Sequence, residues 1–120
     1  MTTRWTIRLA AAAEQDFQEI LRWTTGNFGR GQAKTYATTL SNALRDLAQG
    51  PDIPGCRKRD DIGPDIHTLH VARKGRKGRH FIIFRTSSAG ANRFIDVLRL
   101  LHDSMDLARH IPDTHDNLSS

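Results

Sequence analysis

The 120-residue chain contains one cysteine, one tyrosine and four prolines, and it has no long run of apolar residues. A lone thiol, Cys56, excludes an internal disulfide and is typical of a reducing compartment. The apolar run Ala10–Ala13 is far shorter than a signal peptide core or the roughly 20 apolar residues of a membrane span. We therefore expect a soluble, cytoplasmic protein with one domain over residues 1–111 and a polar, disordered tail over residues 112–120.

Lysine is also scarce, whereas arginine is abundant. The 18 basic residues comprise 14 Arg and 4 Lys, the net charge is +5 and the pI is about 10.1. Guanidinium groups suit phosphate and carboxylate recognition because they are planar and permanently charged. The composition therefore indicates a polyanionic partner, either nucleic acid or an acidic protein, and does not choose between them.

Hydrophobic periodicity predicts the element order β-α-α-β-β-β. Arg4–Leu9 alternates as a half-buried strand, and helical spacing follows over Ala11–Asn27 and Gln32–Gln49. Further strands are predicted in the second half of the chain, at His67–Arg73, Arg79–Thr86 and Arg93–Leu101, with turns at 74–78 and 87–92. This order predicts an α+β fold in which a helical hairpin covers one face of a mostly antiparallel four-stranded sheet.

Short motifs occur in a fixed order along almost the whole chain. They are Ala12-Ala13-Glu14-x-Asp16-Phe17, Ile20-x-x-Trp23, Phe28-Gly29, Gly63-Pro-Asp-Ile-His-Thr-Leu-His70, Phe84-Arg85 and Val97-Leu98-Arg99-x-x-His102-x-x-Met105-Asp106-x-x-Arg109-His110. As an ordered set they resemble the RelE/ParE superfamily of toxins from bacterial type II toxin–antitoxin modules, and the ParE branch in particular. The resemblance implies neutralisation by a ParD-like antitoxin with an acidic C-terminal segment. It also implies DNA gyrase as the target, with DNA contacted only indirectly, through gyrase or the antitoxin.

The RelE-like relatives instead cut messenger RNA on the ribosome, which requires acid–base groups and cations around the phosphate. Arg85, Arg99 and His102 are the candidate residues for that reaction here. The chain offers little else, because Tyr36 lies on the apolar stripe of the second helix and no glutamate follows Glu19. His102, beside two aspartates, is more typical of a hydrogen-bonded strand end. A third alternative is a non-toxic relative that only binds its antitoxin and co-regulates their operon.

A partner-binding surface is the interpretation that the charges favour. Arginines at or near strand ends supply its cations, at Arg73, Arg79, Arg85, Arg93 and Arg99. Single surface arginines contribute only ~0–1 kcal/mol, so the prediction concerns the set. Trp23 and Phe28 have two interpretations. Core positions are favoured because most aromatic residues of small domains are structural, but Trp23 falls one position off the apolar stripe and is a candidate partner anchor.

The remaining polar motifs indicate neither a metal nor a cofactor. His67 and His70 lie three apart, which places them on opposite faces of a strand. The basic segment Arg73–Arg79 lacks the spacing of a phosphate-binding loop and is predicted to be a mobile turn, kept extended by charge repulsion. Arg57–Asp61 is predicted to be a solvated loop. A basic neighbour is expected to lower the pKa of Cys56, although no partner for a nucleophile is evident.

Overall fold

The computed structural model describes residues 4–111 and confirms the α+β fold. The strands are β1 (Thr6–Leu9), β2 (Arg57–Lys58), β3 (His67–His70), β4 (His80–Ala89) and β5 (Asn92–His102). The helices are α1 (Ala11–Phe28) and α2 (Arg30–Asp46), and short 3-10 turns follow at Leu47–Gln49 and Leu107–His110. Within this range no helix is long and apolar enough to cross a membrane. The tail predicted at 112–120 lies outside the described residues.

Over the described residues the sheet has five strands rather than the predicted four, in the order β1-β5-β4-β3-β2. The additional strand is β2, whose Arg57 and Lys58 pair antiparallel with Thr68 and His67 of β3. Sequence predicted a solvated loop there, because two residues are too few to show an alternating pattern. β1 runs parallel to β5, and the other pairs are antiparallel.

The β4–β5 hairpin is longer and tighter than the sequence predicted. The turn expected over residues 87–92 shrinks, because β4 continues to Ala89 and β5 begins at Asn92. Gly90, with a φ of 62°, supplies the left-handed conformation that so short a turn requires. The hairpin therefore forms the centre of the sheet, and β5 carries the residues that border the candidate site.

The helical hairpin is also tighter than predicted, since Gly29 alone separates α1 from α2. Its φ of 90° is one that residues with a side chain rarely adopt, so glycine permits the reversal. The apolar stripe of the helices covers one face of the sheet, where Leu40, Leu47, Ile82, Phe84 and Val97 are fully buried. The hairpin therefore places the end of α1 and the start of α2 above the last residues of β5.

A smaller apolar cluster covers the opposite face of the sheet. Ile66, Ile83 and Leu101 pack there against Leu107 of the C-terminal 3-10 turn. The C-terminal turn therefore shields this face of the β4–β5 hairpin. On the face that carries the helices, a groove remains open between the helical hairpin and the β3–β4 connection.

Candidate binding cleft

Trp23 and Phe28 at the end of α1 are exposed, with 61% and 63% of their surface accessible. Their rings meet edge to face at a centroid distance of 5.7 Å. The core interpretation of these two residues is therefore wrong, whereas the other tryptophan, Trp5, does pack against the core. The adjacent Thr24 takes the buried helix position, with only 8% of its surface accessible, and this directs Trp23 outward.

A cleft of about 700 Å³ begins at this aromatic pair and runs between the helical hairpin and the β3–β4 connection. We refer to it as the binding cleft. The residues that line it are Trp23, Thr24, Phe28, Gln32, Tyr36, Ala72, Arg76, Lys77, Gly78, Arg79, His80 and His102. None of these lining residues is acidic, so the binding cleft combines an apolar wall with a basic wall. Such a surface suits an apolar anchor that is flanked by negative charges.

The basic wall belongs to the segment Arg73–Arg79, which we call the basic loop. Asp46, at the last position of α2, lies 3.4 Å from both Arg73 Nε and Lys74 Nζ. Its Oδ2 also lies 3.6 Å from Arg76 Nη1. The expectation of a turn extended by charge repulsion overlooked this carboxylate, which attracts three of the five cations of the loop.

Tyr36 fixes the other end of the basic loop and is a site residue that the sequence analysis missed. Its hydroxyl accepts the backbone N–H of Arg79 at 3.0 Å and lies 2.6 Å from His80 Nδ1. Because the hydroxyl oxygen already accepts one hydrogen bond, its own proton is free to be donated to Nδ1. Burial raises the pKa of Tyr36 and lowers the pKa of His80 to about 4. Both side chains are therefore neutral at physiological pH.

His102 ends β5 at the border of the binding cleft. Its Nδ1 lies 2.7 Å from Ser104 Oγ and accepts the Ser104 backbone N–H at 3.1 Å. The prediction of a hydrogen-bonded strand end is confirmed, although the partner is a serine. The next residue, Asp103, binds His70 Nε2 at 3.0 Å and Arg79 Nε at 3.2 Å, and these contacts lower the pKa of its carboxyl. Asp103 thus anchors the Arg79 side chain.

The structure does not bring the five predicted arginines together. Arg73 and Arg79 bracket the basic loop, but Arg99 binds the buried Asp16 of α1 through Nε at 2.7 Å and Nη2 at 2.9 Å. Arg93 lies at the opposite end of the β4–β5 hairpin, where its guanidinium is 5.6 Å from the Trp5 ring centroid. Of the five, only Arg79 lines the binding cleft.

The candidate nuclease residues are separated as well. Arg85 is paired in register with Asp96, and six strand positions, or roughly 20 Å, separate Asp96 from His102. Arg99 is held by Asp16, as described above. The arrangement therefore does not place two guanidinium groups and His102 around one phosphate.

Two smaller expectations have opposite outcomes. His67 stacks on Phe84 on the helix side, whereas His70 meets Phe81 on the other side, so the two histidines face apart as predicted. Among the described residues no group of three or more His, Cys, Asp or Glu side chains could hold a metal ion. The expectation for Cys56 is wrong, because burial raises the pKa of its thiol to about 11 despite the opposing charge of Arg73.

Comparisons with known proteins agree over most of the chain. A family model described as the ParE toxin of type II toxin–antitoxin systems, parDE, matches residues 7–107. Toxin ParE1 of Mycobacterium tuberculosis is 33% identical over 103 residues, which cover 86% of this chain and 94% of that protein. Toxin ParE of Escherichia coli is 29% identical over 107 residues, which cover 88% of this chain and 91% of that protein.

Two solved structures share the fold. The chromosomal ParDE toxin–antitoxin system from P. aeruginosa aligns with a TM-score of 0.65 at 16% identity, covering 83% of this chain and 97% of that one. The YoeB/ParE toxin from Agrobacterium tumefaciens aligns with a TM-score of 0.57 at 9% identity, covering 81% and 96%. At these identities the structural likeness shows the fold alone.

Proposed function

Because the chain belongs to the ParE toxin family of type II toxin–antitoxin systems, we propose that it inhibits DNA gyrase by binding it. We further propose that a ParD-like antitoxin neutralises it and that both events take place in the cytoplasm. The observation that carries the proposal is the binding cleft, in which Trp23 and Phe28 face a wall of cations. Exposed aromatic side chains of this size are typical anchors in protein interfaces.

Binding rather than catalysis is supported by the chemistry of the cleft. An acid–base catalyst works best when its pKa lies near the working pH. The pKa of His80 is about 4, so at neutral pH this histidine is a weak base and carries no extra proton to donate. Burial raises the pKa of Tyr36, so its hydroxyl is a weaker acid than that of a free tyrosine. His102 uses Nδ1 to accept the Ser104 backbone N–H. Neither Tyr36 nor His80 is therefore suited to acid–base catalysis at neutral pH, and this supports binding as the function of the cleft.

The antitoxin side of the proposal follows from charge complementarity. An acidic, amphipathic segment would place an apolar side chain beside Phe28 and carboxylates beside Lys77 and Arg79. Occupation of the cleft by such a segment would exclude gyrase if both partners use the aromatic pair. Neutralisation is then competition for one surface, and it needs no change in the toxin itself.

The test compares two reactions that contain the same purified protein. Supercoiling by DNA gyrase is measured in one reaction, and the integrity of mRNA during translation by ribosomes is measured in the other. We expect lost supercoiling or trapped cleaved DNA, together with intact mRNA. Cut mRNA with normal supercoiling would instead identify a ribosome-dependent endonuclease. No effect in either reaction would identify a relative that only binds its antitoxin.

A further inference from the structure

The basic loop contains five cations within seven residues, at Arg73, Lys74, Arg76, Lys77 and Arg79. They do not have equivalent surroundings. Arg73, Lys74 and Arg76 lie within 4 Å of the Asp46 carboxylate, whereas Arg79 bonds Asp103 and keeps 69% of its side chain accessible. The two carboxylates therefore divide the loop into three cations held near Asp46 of α2, of which Arg76 also lines the binding cleft, and a second group, Lys77 and Arg79, that lines the cleft without contacting Asp46.

The contacts of Asp46 with Arg73 and Arg76 are shielded from solvent, whereas the Lys74 side chain is 54% accessible. The Asp46, Arg73 and Arg76 side chains are 15%, 14% and 24% accessible. Asp46 Oδ2, Arg73 Nε and Arg76 Nη1 are all buried, and none of these three atoms has a hydrogen-bond partner among the described residues. Their interaction is therefore mainly electrostatic, and it is strengthened by the low dielectric of the site. Removal of the carboxylate would leave two guanidinium groups buried without a counter-charge.

We propose that Asp46 is a positioning residue for the proposed partner surface: it fixes the basic loop against α2 so that Lys77 and Arg79 face the binding cleft. This inference rests on the proposed function only for the identity of the partner, since the loop geometry is a property of the free protein. Asp46 does not touch the cleft and acts through the loop. It also partly neutralises three cations that would otherwise attract a polyanion more strongly.

Tyr36 of α2 provides a second attachment point for the basic loop. A Cβ on Gly78 would lie 2.5 Å from Val71 Cγ2 and 3.2 Å from Tyr36 Cε1, so the chain passes tightly over the Tyr36 ring. The Arg79 backbone N–H is held by the Tyr36 hydroxyl at 3.0 Å. Both ends of the loop are thus attached to α2, at Tyr36 and Asp46. Lys77 lies between these two attachments.

Limited trypsin digestion of the full chain tests the proposal, because all five cations are trypsin sites. Cleavage under native conditions requires local opening and reports its free energy. Asp46→Asn should increase cleavage within the basic loop at least tenfold, whereas Asp46→Glu should restore protection. Cleavage after Arg57 and Lys58, in β2, provides the internal control and should change little.

Two results would overturn the proposal. Unchanged loop cleavage in Asp46→Asn would show that the carboxylate does not hold the loop. An equal increase at β2 would show that Asp46 acts on global stability alone. If Asp46→Asn does not fold, Arg76→Gln provides the same test from the other partner, scored at the four loop sites that remain, with Arg22→Gln at an exposed position of α1 as the charge-matched control. Neither result depends on gyrase.

The salt dependence of binding to a heparin column gives a readout that a merely structural role would not change. Asp46→Asn should bind heparin more tightly and with a steeper dependence on salt, because three cations are released. Lys77→Ala should bind less tightly and with a shallower dependence, and its loop should remain protected from trypsin. Identical salt dependence in wild type and Asp46→Asn would contradict the division of the loop into two groups.

Discussion

Asp16 of α1 and Arg99 of β5 form a bidentate ion pair that joins a helix to the sheet. Asp16 is 8% accessible and accepts both Arg99 Nε at 2.7 Å and Nη2 at 2.9 Å. It also accepts the Leu100 backbone N–H at 3.0 Å, at the edge of β5 beyond its pairing with β1. The pair therefore attaches α1 to β5, which together border the binding cleft.

Loss of this carboxylate should be costly. Asp16→Ala leaves the Arg99 guanidinium and a buried backbone N–H without their partner, and we expect a loss of about 3 kcal/mol in the free energy of unfolding. Urea denaturation measures the change. Asp61→Ala is the control, because the Arg59–Asp61 pair is exposed and contributes little. Equal midpoints for wild type and Asp16→Ala would contradict a stabilising role for the pair.

Two glycine-to-alanine changes should have opposite signs. Gly78→Ala introduces a methyl group into the space of Val71 and Tyr36, and we expect a loss of about 1–3 kcal/mol. Gly26 lies in α1 with nothing within 4 Å of a Cβ at that position. Gly26→Ala should therefore gain about 0.5–1 kcal/mol from helix propensity. Thermal unfolding of both variants tests the pair, and destabilisation by Gly26→Ala would show that the helix end is packed differently.

His80 should make folding stability depend on pH in a defined window. Burial and the neighbouring His102 lower its pKa from 6.5 to about 4, so the unfolded chain binds the proton more readily. Stability is fully present above pH 6.5 and is lost as the pH falls toward 4. The lowered pKa of Asp103 also stabilises the folded protein, and this stabilisation is lost only at a lower pH, where the Asp103 carboxylate is protonated.

The variant His80→Gln isolates this effect, because its amide oxygen can still accept the Tyr36 hydroxyl. The difference in stability between wild type and variant should shrink between pH 6.5 and 4, since only the wild type has this histidine to protonate. His67 also has a lowered pKa and is present in both proteins, so its contribution cancels. A difference that stays constant across the window would show that His80 is not buried as described.

Cys56 should react slowly with alkylating agents. Its pKa of about 11 leaves little thiolate at pH 8, and half-burial of the side chain restricts access. We expect iodoacetamide to modify the native protein at least tenfold more slowly than the urea-unfolded chain, as measured by mass spectrometry. Equal rates in the two states would mean that the loop around Cys56 is open in solution.

The element order could be predicted from the sequence because each long element has its own periodicity. β2 could not be predicted, since Arg57 and Lys58 are both basic and show no alternation of apolar and polar residues. They form a strand only by pairing with β3. The arginines of the candidate surface were misplaced for a similar reason. Asp16 precedes Arg99 by 83 residues, and no local pattern relates two positions so far apart.

The candidate site was predicted only in part. The one-position offset of Trp23 from the apolar stripe correctly indicated exposure, but the higher frequency of aromatic core residues outweighed that signal. Tyr36 does lie on the inner side of α2, as its spacing indicates. The spacing could not show that its hydroxyl reaches Arg79 and His80, because those contacts depend on how the β3–β4 connection folds back.

The aromatic pair of the binding cleft is central to the proposed function, and gyrase inhibition by a variant that lacks the pair tests its role. Trp23→Ser combined with Phe28→Ser removes the aromatic wall without disturbing the buried core, and Met105→Ser is the control for an exposed apolar side chain elsewhere. Purified wild type and Met105→Ser should abolish supercoiling by DNA gyrase, whereas the folded double variant should leave supercoiling intact. Full inhibition by the double variant, or normal supercoiling in the presence of excess wild type, would contradict the account.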